Sequence, residues 1–117
     1  MMPTIQEIIT KVDELRPNRF SNDLKIGWCA DVDIAVKNDL LPDVGDIDCE
    51  DTERELLVPK PYSRLYGYYL MAQISYHNDE MESYNNDMMQ FNSAWDEYAK
   101  YLQRTRASDN LKIINYM

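Results

Sequence analysis

The fold is decided by residues 61–106, which read PYSRLYGYYLMAQISYHNDEMESYNNDMMQFNSAWDEYAKYLQRTR. Apolar residues and tyrosines recur along this stretch in steps of three and four, the spacing of one face of an α-helix. The repeat breaks midway and resumes two residues out of step, so a single continuous helix would carry polar residues on its apolar face. The stretch therefore predicts an antiparallel hairpin of two helices, over about 61–77 and 80–106, with a turn near His77 and Asn78.

Two further helices are predicted upstream, over about 4–16 and 22–38. The first opens with a capping box, in which the Thr4 hydroxyl and a carboxylate three residues later each bond a free backbone amide. It ends before Pro17, which lacks the N–H that a continuing helix needs. Ser21 is of a residue type that caps the second helix. Both segments carry apolar residues at helical spacing, as expected of helices that pack on a core.

The rest of the chain is predicted to be a loop and a tail. Residues 39–60 are predicted to form an acidic loop, and a short β-hairpin within it is an alternative. The run at 56–58 is either an edge strand or an anchor to the core. Residues 107–117 form the tail, whose end alternates like a short strand or docks on another surface. The sequence thus predicts an all-α fold in a single domain over 1–117. The domain is a small bundle of about four helices with a long C-terminal antiparallel hairpin.

Negative charge dominates the composition. The chain has 12 Lys and Arg against 21 Asp and Glu, a net charge of −9, and residues 39–55 carry seven of those nine charges. This balance argues against binding to nucleic-acid phosphates, which requires clustered cations. The sequence contains no apolar run near the roughly 18 residues of a membrane span, and its amino terminus does not resemble a secretory signal. These features predict a soluble, acidic protein of the cytosol that has no membrane partner.

Few residues are suited to catalysis or metal binding. The single histidine, His77, lies at the predicted turn without a neighbouring nucleophile motif. Cys29 and Cys49 are too few for a structural zinc site and are expected to be free thiols. An alternation of acids like the start of an EF-hand loop begins at Asp46, but it fails at Asp51, where the turn needs glycine. We expect a protein that is not an enzyme and takes no metal or cofactor.

The third predicted helix is apolar over more of its surface than three or four short helices can cover. Tyrosine tolerates partial exposure and is enriched at protein–protein contacts. Part of this helix and the apolar tail are therefore candidate contacts with another subunit or partner, namely Tyr62, Tyr66, Tyr68, Met71, Ile113, Ile114 and Tyr116. The acidic loop is a second candidate contact, through Asp43, Asp46, Asp48, Glu50, Asp51, Glu53 and Glu55.

Short stretches of the sequence resemble those of a known protein family. They are spread over most of the chain outside residues 36–55 and the tail. They are VDELRPNRFS at 12–21, KIGW at 25–28, LVPKPY at 57–62, LY at 65–66, YL at 69–70, YNN at 84–86, FN at 91–92 and YLQRT at 101–105. Together they are similar to the small head–tail connector, or head-completion, proteins of tailed bacteriophages, which act as DNA-packaging adaptors. The matching residues are at helix-packing positions, not at catalytic ones.

This resemblance implies a helical protomer that forms a homo-oligomeric ring beneath the capsid portal, in some cases only on assembly. Its neighbours would be the portal and the tail or neck proteins, and its location the host cytoplasm before assembly and the virion afterwards. A helix with surplus apolar surface suits a head-to-tail contact that closes into a ring. An acidic loop facing the channel would let DNA pass without specific binding.

Two other interpretations remain open. A small acidic domain can imitate DNA and inhibit a host DNA-binding protein by presenting carboxylates to a basic groove. The negative charge of this chain is concentrated in one loop instead of being spread along a helix, which weighs against that interpretation. The chain can also be a helical interaction domain with no viral role.

Overall fold

The protein is all-α, as predicted. Its structure, a computed structural model, describes residues 3–42, 45 and 54–115, with side chains as far as Thr105. The helices of this part of the chain are α1 (Ile5–Leu15), α2 (Asn22–Asp39), α3 (Arg64–His77) and α4 (Met81–Asn115). The capping residues predicted from the sequence are also confirmed. The Thr4 hydroxyl accepts the Glu7 amide at 3.3 Å, and the Ser21 hydroxyl accepts the Leu24 amide at 3.2 Å.

Helix α3 is the centre of the bundle, and each of the other helices packs against it or against its neighbours. Its inward residues Leu65, Tyr66 and Leu70 are completely buried. Around them lies one continuous core with residues from every helix and from the segment before α3. Its other main members are Ile5, Ile9, Val12, Trp28, Cys29, Val32, Val36, Leu56, Val58, Ile74, Ala94 and Tyr98. Burial of these apolar side chains is the main force that holds the helices together.

Helices α3 and α4 form the predicted antiparallel hairpin. The chain leaves α3 after His77, and the Glu80 amide donates to the Ser75 carbonyl at 2.9 Å. Asp79 adopts φ 58°, a left-handed conformation that aspartate tolerates better than most residues that carry a side chain. The turn therefore lies within three residues of the position expected from the break in the repeat.

The C-terminal boundary predicted for the fourth helix is wrong. Helix α4 continues through residues 107–115, which the sequence analysis assigned to a tail with a short strand or a docking segment. Once a helix is formed, each added residue gains a hydrogen bond without a new nucleation cost, and residues 107–115 contain no glycine or proline to stop it. Helix α3 also starts later than expected, at Arg64, because residues 60–63 form a turn that places Tyr62 against α4.

The molecule is elongated because α4 is much longer than its neighbours. Its 35 residues correspond to about 52 Å at 1.5 Å per residue, close to the longest dimension of 58 Å. The radius of gyration is 15.9 Å, against about 13 Å for a compact domain of this size. Arg64, the first residue of α3, forms an ion pair with Glu97 of α4. Helix α4 therefore continues for about 27 Å beyond the start of α3.

The segment that enters α3 is an anchor to the core. The Leu56 amide donates to the Pro3 carbonyl at 2.8 Å, and Glu55 forms an isolated antiparallel bridge with Thr4. Leu56 and Val58 are completely buried. Of the two alternatives for this run, the structure shows the anchor, since the described residues contain a single bridge and no strand. The open question of a β-hairpin within the acidic loop falls outside the described residues.

Candidate assembly surfaces

A buried carboxylate fixes the end of the acidic loop to the bundle. Asp33 of α2 is completely buried, and its Oδ2 atom lies 2.6 Å from Nη1 of Arg54. Its Oδ1 atom accepts the Tyr66 hydroxyl at 2.5 Å and the Leu57 amide at 3.4 Å. A buried charge is tolerated only when it is paired and hydrogen-bonded in this way. The network therefore holds the chain after the acidic loop against both α2 and α3.

Tyr66 belongs to this network, and its assignment as a subunit contact is wrong. Its side chain is completely buried, and its hydroxyl also accepts the Val58 amide at 2.9 Å. Burial, and next the negative charge of Asp33, raise the pKa of the Tyr66 phenol above its ordinary value. The sequence pattern placed Tyr66 on an apolar face. It gave no sign that a carboxylate from another helix would accept a hydrogen bond from the Tyr66 hydroxyl.

A second network joins the end of α1 to the hairpin. Arg16 donates to the Asp87 carboxylate at 2.5 Å, to the Ser75 hydroxyl at 2.8 Å and to the Met71 carbonyl at 3.1 Å. The Ser75 hydroxyl in turn donates to Asp87 at 3.2 Å. Asp87 is only 5% exposed, whereas the Arg16 side chain is 31% exposed, so water reaches the ion pair from the arginine side. The contact therefore joins the end of α1 to both helices of the hairpin.

An apolar groove runs between α1 and α3 on the outside of the bundle. Its volume is about 600 Å³, and its main lining residues are Lys11, Val12 and Leu15 of α1, Lys60 before α3, and Arg64, Tyr68 and Met71 of α3. We call it the α1–α3 groove. Tyr68 and Met71, two of the predicted contact residues, lie here half-buried. Gly67 leaves the floor open, since an added Cβ would have only Val12 in reach, at 3.9 Å.

The rim of the α1–α3 groove is cationic, unlike the chain as a whole. Lys11, Lys60 and Arg64 line it together with a single acid, Glu7. Lys60 pairs with Glu7 at 3.5 Å, and Arg64 pairs with Glu97; all four side chains are about half exposed. Lys11 makes no ion pair with any described residue. Exposed pairs of this kind contribute little to stability and exchange readily for other partners.

The groove was not predicted from the sequence. The helical repeat placed Leu15 on the buried stripe of α1, yet Leu15 is 65% exposed. It is the last residue of α1, beyond the point where α3 and α2 cover that stripe. The position of Leu15 at the very end of the predicted helix was the signal that could have indicated its exposure.

The turn of the α3–α4 hairpin carries the opposite charge. We call residues 76–82 the hairpin tip. Asp79, Glu80 and Glu82 are exposed there, beside two exposed apolar side chains, Tyr76 (52%) and Met81 (50%). The tip therefore combines acids with apolar surface at the end of the bundle.

The base of the hairpin tip is fixed by an aromatic cluster. The His77 ring stacks on Trp28 of α2, with centroids 5.8 Å apart and planes inclined by 15°. Phe20 packs against both rings, at 5.8 Å from Trp28 and 5.7 Å from His77. His77 itself is exposed at the turn. The cluster holds the tip rigidly against α2.

Tyr62, another predicted contact residue, is largely occupied within the chain. Its ring stacks on Tyr101 at 4.9 Å and lies 5.6 Å from Tyr98, both on α4. It is half-buried. These contacts hold the turn before α3 against the long helix, so Tyr62 offers only part of its ring to a partner.

The remaining predicted contact residues are less fully described. Ile113 and Ile114 lie in the last turns of α4, and their side chains are outside the described part of the structure. Tyr116 and the loop acids Asp43, Asp46, Asp48, Glu50, Asp51 and Glu53 lie outside the described residues altogether. Glu55, the last acid of the loop, is exposed next to Thr4.

No family model, curated protein or solved structure matches this chain. Among the described helices, none combines the length and apolar character needed to cross a membrane. The described residues contain no group of three or more side chains that could hold a metal ion. Cys29 is a free thiol, and burial raises its pKa to about 12. Because the thiolate is the reactive form, Cys29 is poorly suited to act as a nucleophile. Cys49 lies outside the described residues.

Proposed function

We propose that the protein is a structural component of a tailed-bacteriophage virion. In this proposal it is a head–tail connector, or adaptor, whose copies form a ring at the portal vertex around the DNA channel. It is present in the host cytoplasm before assembly and contacts the portal and the tail or neck proteins in the virion. It is not an enzyme. The stretches of sequence that are similar to phage connectors support this class of protein.

The observation that carries the proposal is the length of α4. About 27 Å of this helix continues past the start of α3, and about 20 Å of it follows Leu102, the last described α4 side chain that packs against the core. The last turns contain Leu111, Ile113 and Ile114. Apolar residues at the end of a projecting helix are stabilised when they pack against another protein. A helix of this kind suits a protomer that is completed by its neighbours in an assembly.

The charge of the chain supports a place beside DNA without binding to it. The net charge is −9, and residues 39–55 hold most of it. Negative charge that faces the DNA backbone repels it and prevents a stable complex. Because Arg54 and Leu57 are held by Asp33, the acidic loop is attached to the bundle at a defined point. We therefore assign this loop to the channel side of the ring.

The proposal predicts a portal protein in the genome that encodes this chain, and it is tested with that protein. We expect size-exclusion chromatography with light scattering to show a complex of defined stoichiometry, and negative-stain images to show rings at the portal vertex. Ile113→Asp together with Ile114→Asp should abolish the complex, because both changes put charge on the projecting end of α4. Ser93→Asp, an exposed change elsewhere on α4, is the matched control. A chain that forms no ring and binds no portal would contradict the proposal.

The same experiment separates the connector from a DNA mimic. A mimic would instead form a salt-sensitive complex with a basic host protein, and neutralising the eight acids of residues 39–55 would abolish that complex. Such a result, combined with no binding to the portal, would replace the connector proposal.

A further inference from the structure

We propose that copies of this chain associate head to tail, with the hairpin tip of one copy bound in the α1–α3 groove of the next. This inference rests on the proposed function in one respect: it names the subunit contact that a ring would use. Its occupant is a second copy of the same chain.

The apolar surfaces of the two regions complement each other. The groove exposes Leu15 at 65% and offers half-buried Tyr68 and Met71 along its wall. The tip offers Tyr76 and Met81, each about half exposed. Large apolar side chains that protrude at a turn gain stability when they enter an apolar groove and leave water. Methionine is well suited to such a site because its flexible side chain adapts to an irregular groove.

The charges of the two regions also complement each other. Three cations line the groove against one acid, while the tip presents three acids: Asp79, Glu80 and Glu82. In a chain of net charge −9, most pairs of surfaces repel each other, so a cationic rim selects an acidic partner. The current partners of Lys60 and Arg64 are exposed acids, and Lys11 has none among the described residues. All three cations are therefore available to the acids of a second copy.

The geometry makes the contact intermolecular. Gly67 in the groove and His77 in the tip are ten positions apart on the rigid helix α3, which holds them about 15 Å from each other. Even Met71 and Tyr76, the nearest members of the two regions on this helix, stay about 7.5 Å apart along its axis. A copy cannot place its own tip in its own groove. The contact joins two different surfaces, so each bound pair keeps one groove and one tip free. Contacts of this kind extend into rings when the rotation between copies closes, or into filaments when it does not.

Paired charge reversals test the contact. The groove variant carries Lys11→Glu and Lys60→Glu, and the tip variant carries Glu80→Lys and Glu82→Lys; all four positions are exposed, so both should fold. In each variant alone, the groove and the tip carry net charge of the same sign and repel each other. In a mixture, the basic tip of one variant faces the acidic groove of the other, and the unchanged surfaces also match. Each variant alone should lose association and the mixture should regain it.

Sedimentation equilibrium at low salt, up to about 1 mM protein, measures the effect. We expect the unmodified chain to self-associate, each variant alone to associate about tenfold or more weakly, and the mixture to return to the unmodified value. Asp23→Lys with Asp96→Lys makes the same charge change as the tip variant at exposed positions outside both regions and should leave association nearly unchanged. Circular dichroism confirms folding. Leu15→Ser tests the apolar part without a change of charge and should also weaken association.

Two results would overturn the inference. One is a chain that stays monomeric up to about 1 mM. The other is association that the reversals leave unchanged or that the mixture fails to restore. Failure of the proposed function is a separate outcome. Rings on the portal that form equally well with the groove and tip variants would keep the connector proposal and reject this contact.

Discussion

Replacing Tyr66 by phenylalanine removes a single oxygen atom from the centre of the bundle. That oxygen donates to the Asp33 carboxylate at 2.5 Å and accepts the Val58 amide at 2.9 Å. After the change, Asp33 keeps Arg54 and the Leu57 amide, whereas the Val58 amide loses its partner. Val58 is completely buried, so water cannot replace the lost acceptor.

The expected loss follows from these two bonds. A hydrogen bond to a charged group contributes about 1.5–3 kcal/mol, and an unsatisfied buried amide costs about 1–3 kcal/mol. Because Asp33 retains two of its partners, the lower parts of these ranges apply, and we expect Tyr66→Phe to reduce the free energy of unfolding by about 3 kcal/mol. At about 4 °C per kcal/mol for a domain of this size, the Tm should fall by about 12 °C.

Urea denaturation followed by circular dichroism measures the change, and Tyr68→Phe is the matched control. Tyr68 lies two residues away on α3, is half-buried, and its hydroxyl makes no hydrogen bond with any described residue. We expect the control to stay within about 0.5 kcal/mol of the unmodified chain. If both variants lose the same small amount, the Asp33 network does not hold the anchor segment, and the explanation given for the burial of Tyr66 is wrong.

Three further predictions concern other positions in the bundle. Asp87→Asn leaves Arg16, whose side chain is 31% exposed, without its charge partner and should reduce the free energy of unfolding by about 1.5 kcal/mol. The exposed control Asp96→Asn should change it little, as measured by urea denaturation. Gly67→Ala should raise the free energy of unfolding by about 0.5–1 kcal/mol, and with it the Tm. The new Cβ makes only an ordinary van der Waals contact, and alanine reduces the conformational freedom of the unfolded chain. Burial raises the pKa of Cys29 from its ordinary 9.0 to about 12, so the unfolded chain releases this proton first. The free energy of unfolding should therefore be retained below pH 9 and fall between pH 9 and 12. Urea denaturation curves taken across that pH range measure the fall, which should be smaller in Cys29→Ala.

Periodicity was sufficient to predict the elements of the fold. The break in the repeat between Tyr76 and Met81 predicted the hairpin, and the caps at Thr4 and Ser21 predicted two helix starts. These signals are local, since they depend on residues within one or two turns of each other. Helix ends without a cap or a breaker have no such signal. The continuation of α4 to Asn115 was missed for this reason.

The candidate surfaces were only partly predictable, because they depend on contacts between distant residues. Tyr66 is 33 residues from Asp33, and Arg16 is 71 residues from Asp87. A pattern along one helix cannot show that such pairs meet. Tyr68 and Met71 were predicted as subunit contacts and lie half-buried in the α1–α3 groove, but the nearby cations Lys11 and Lys60 belong to other segments. The complementarity between groove and tip appears only when α1 and α3 are placed side by side.

Cross-linking between isotopically distinct copies tests whether the α1–α3 groove of one copy binds the hairpin tip of another. Unlabelled and nitrogen-15-labelled protein are mixed, with and without portal assemblies, and treated with a zero-length carbodiimide that joins amines to carboxylates. We expect mixed-isotope peptides that link Lys11 or Lys60 to an acid of the hairpin tip. Links confined to single-isotope peptides, under both conditions, would contradict it.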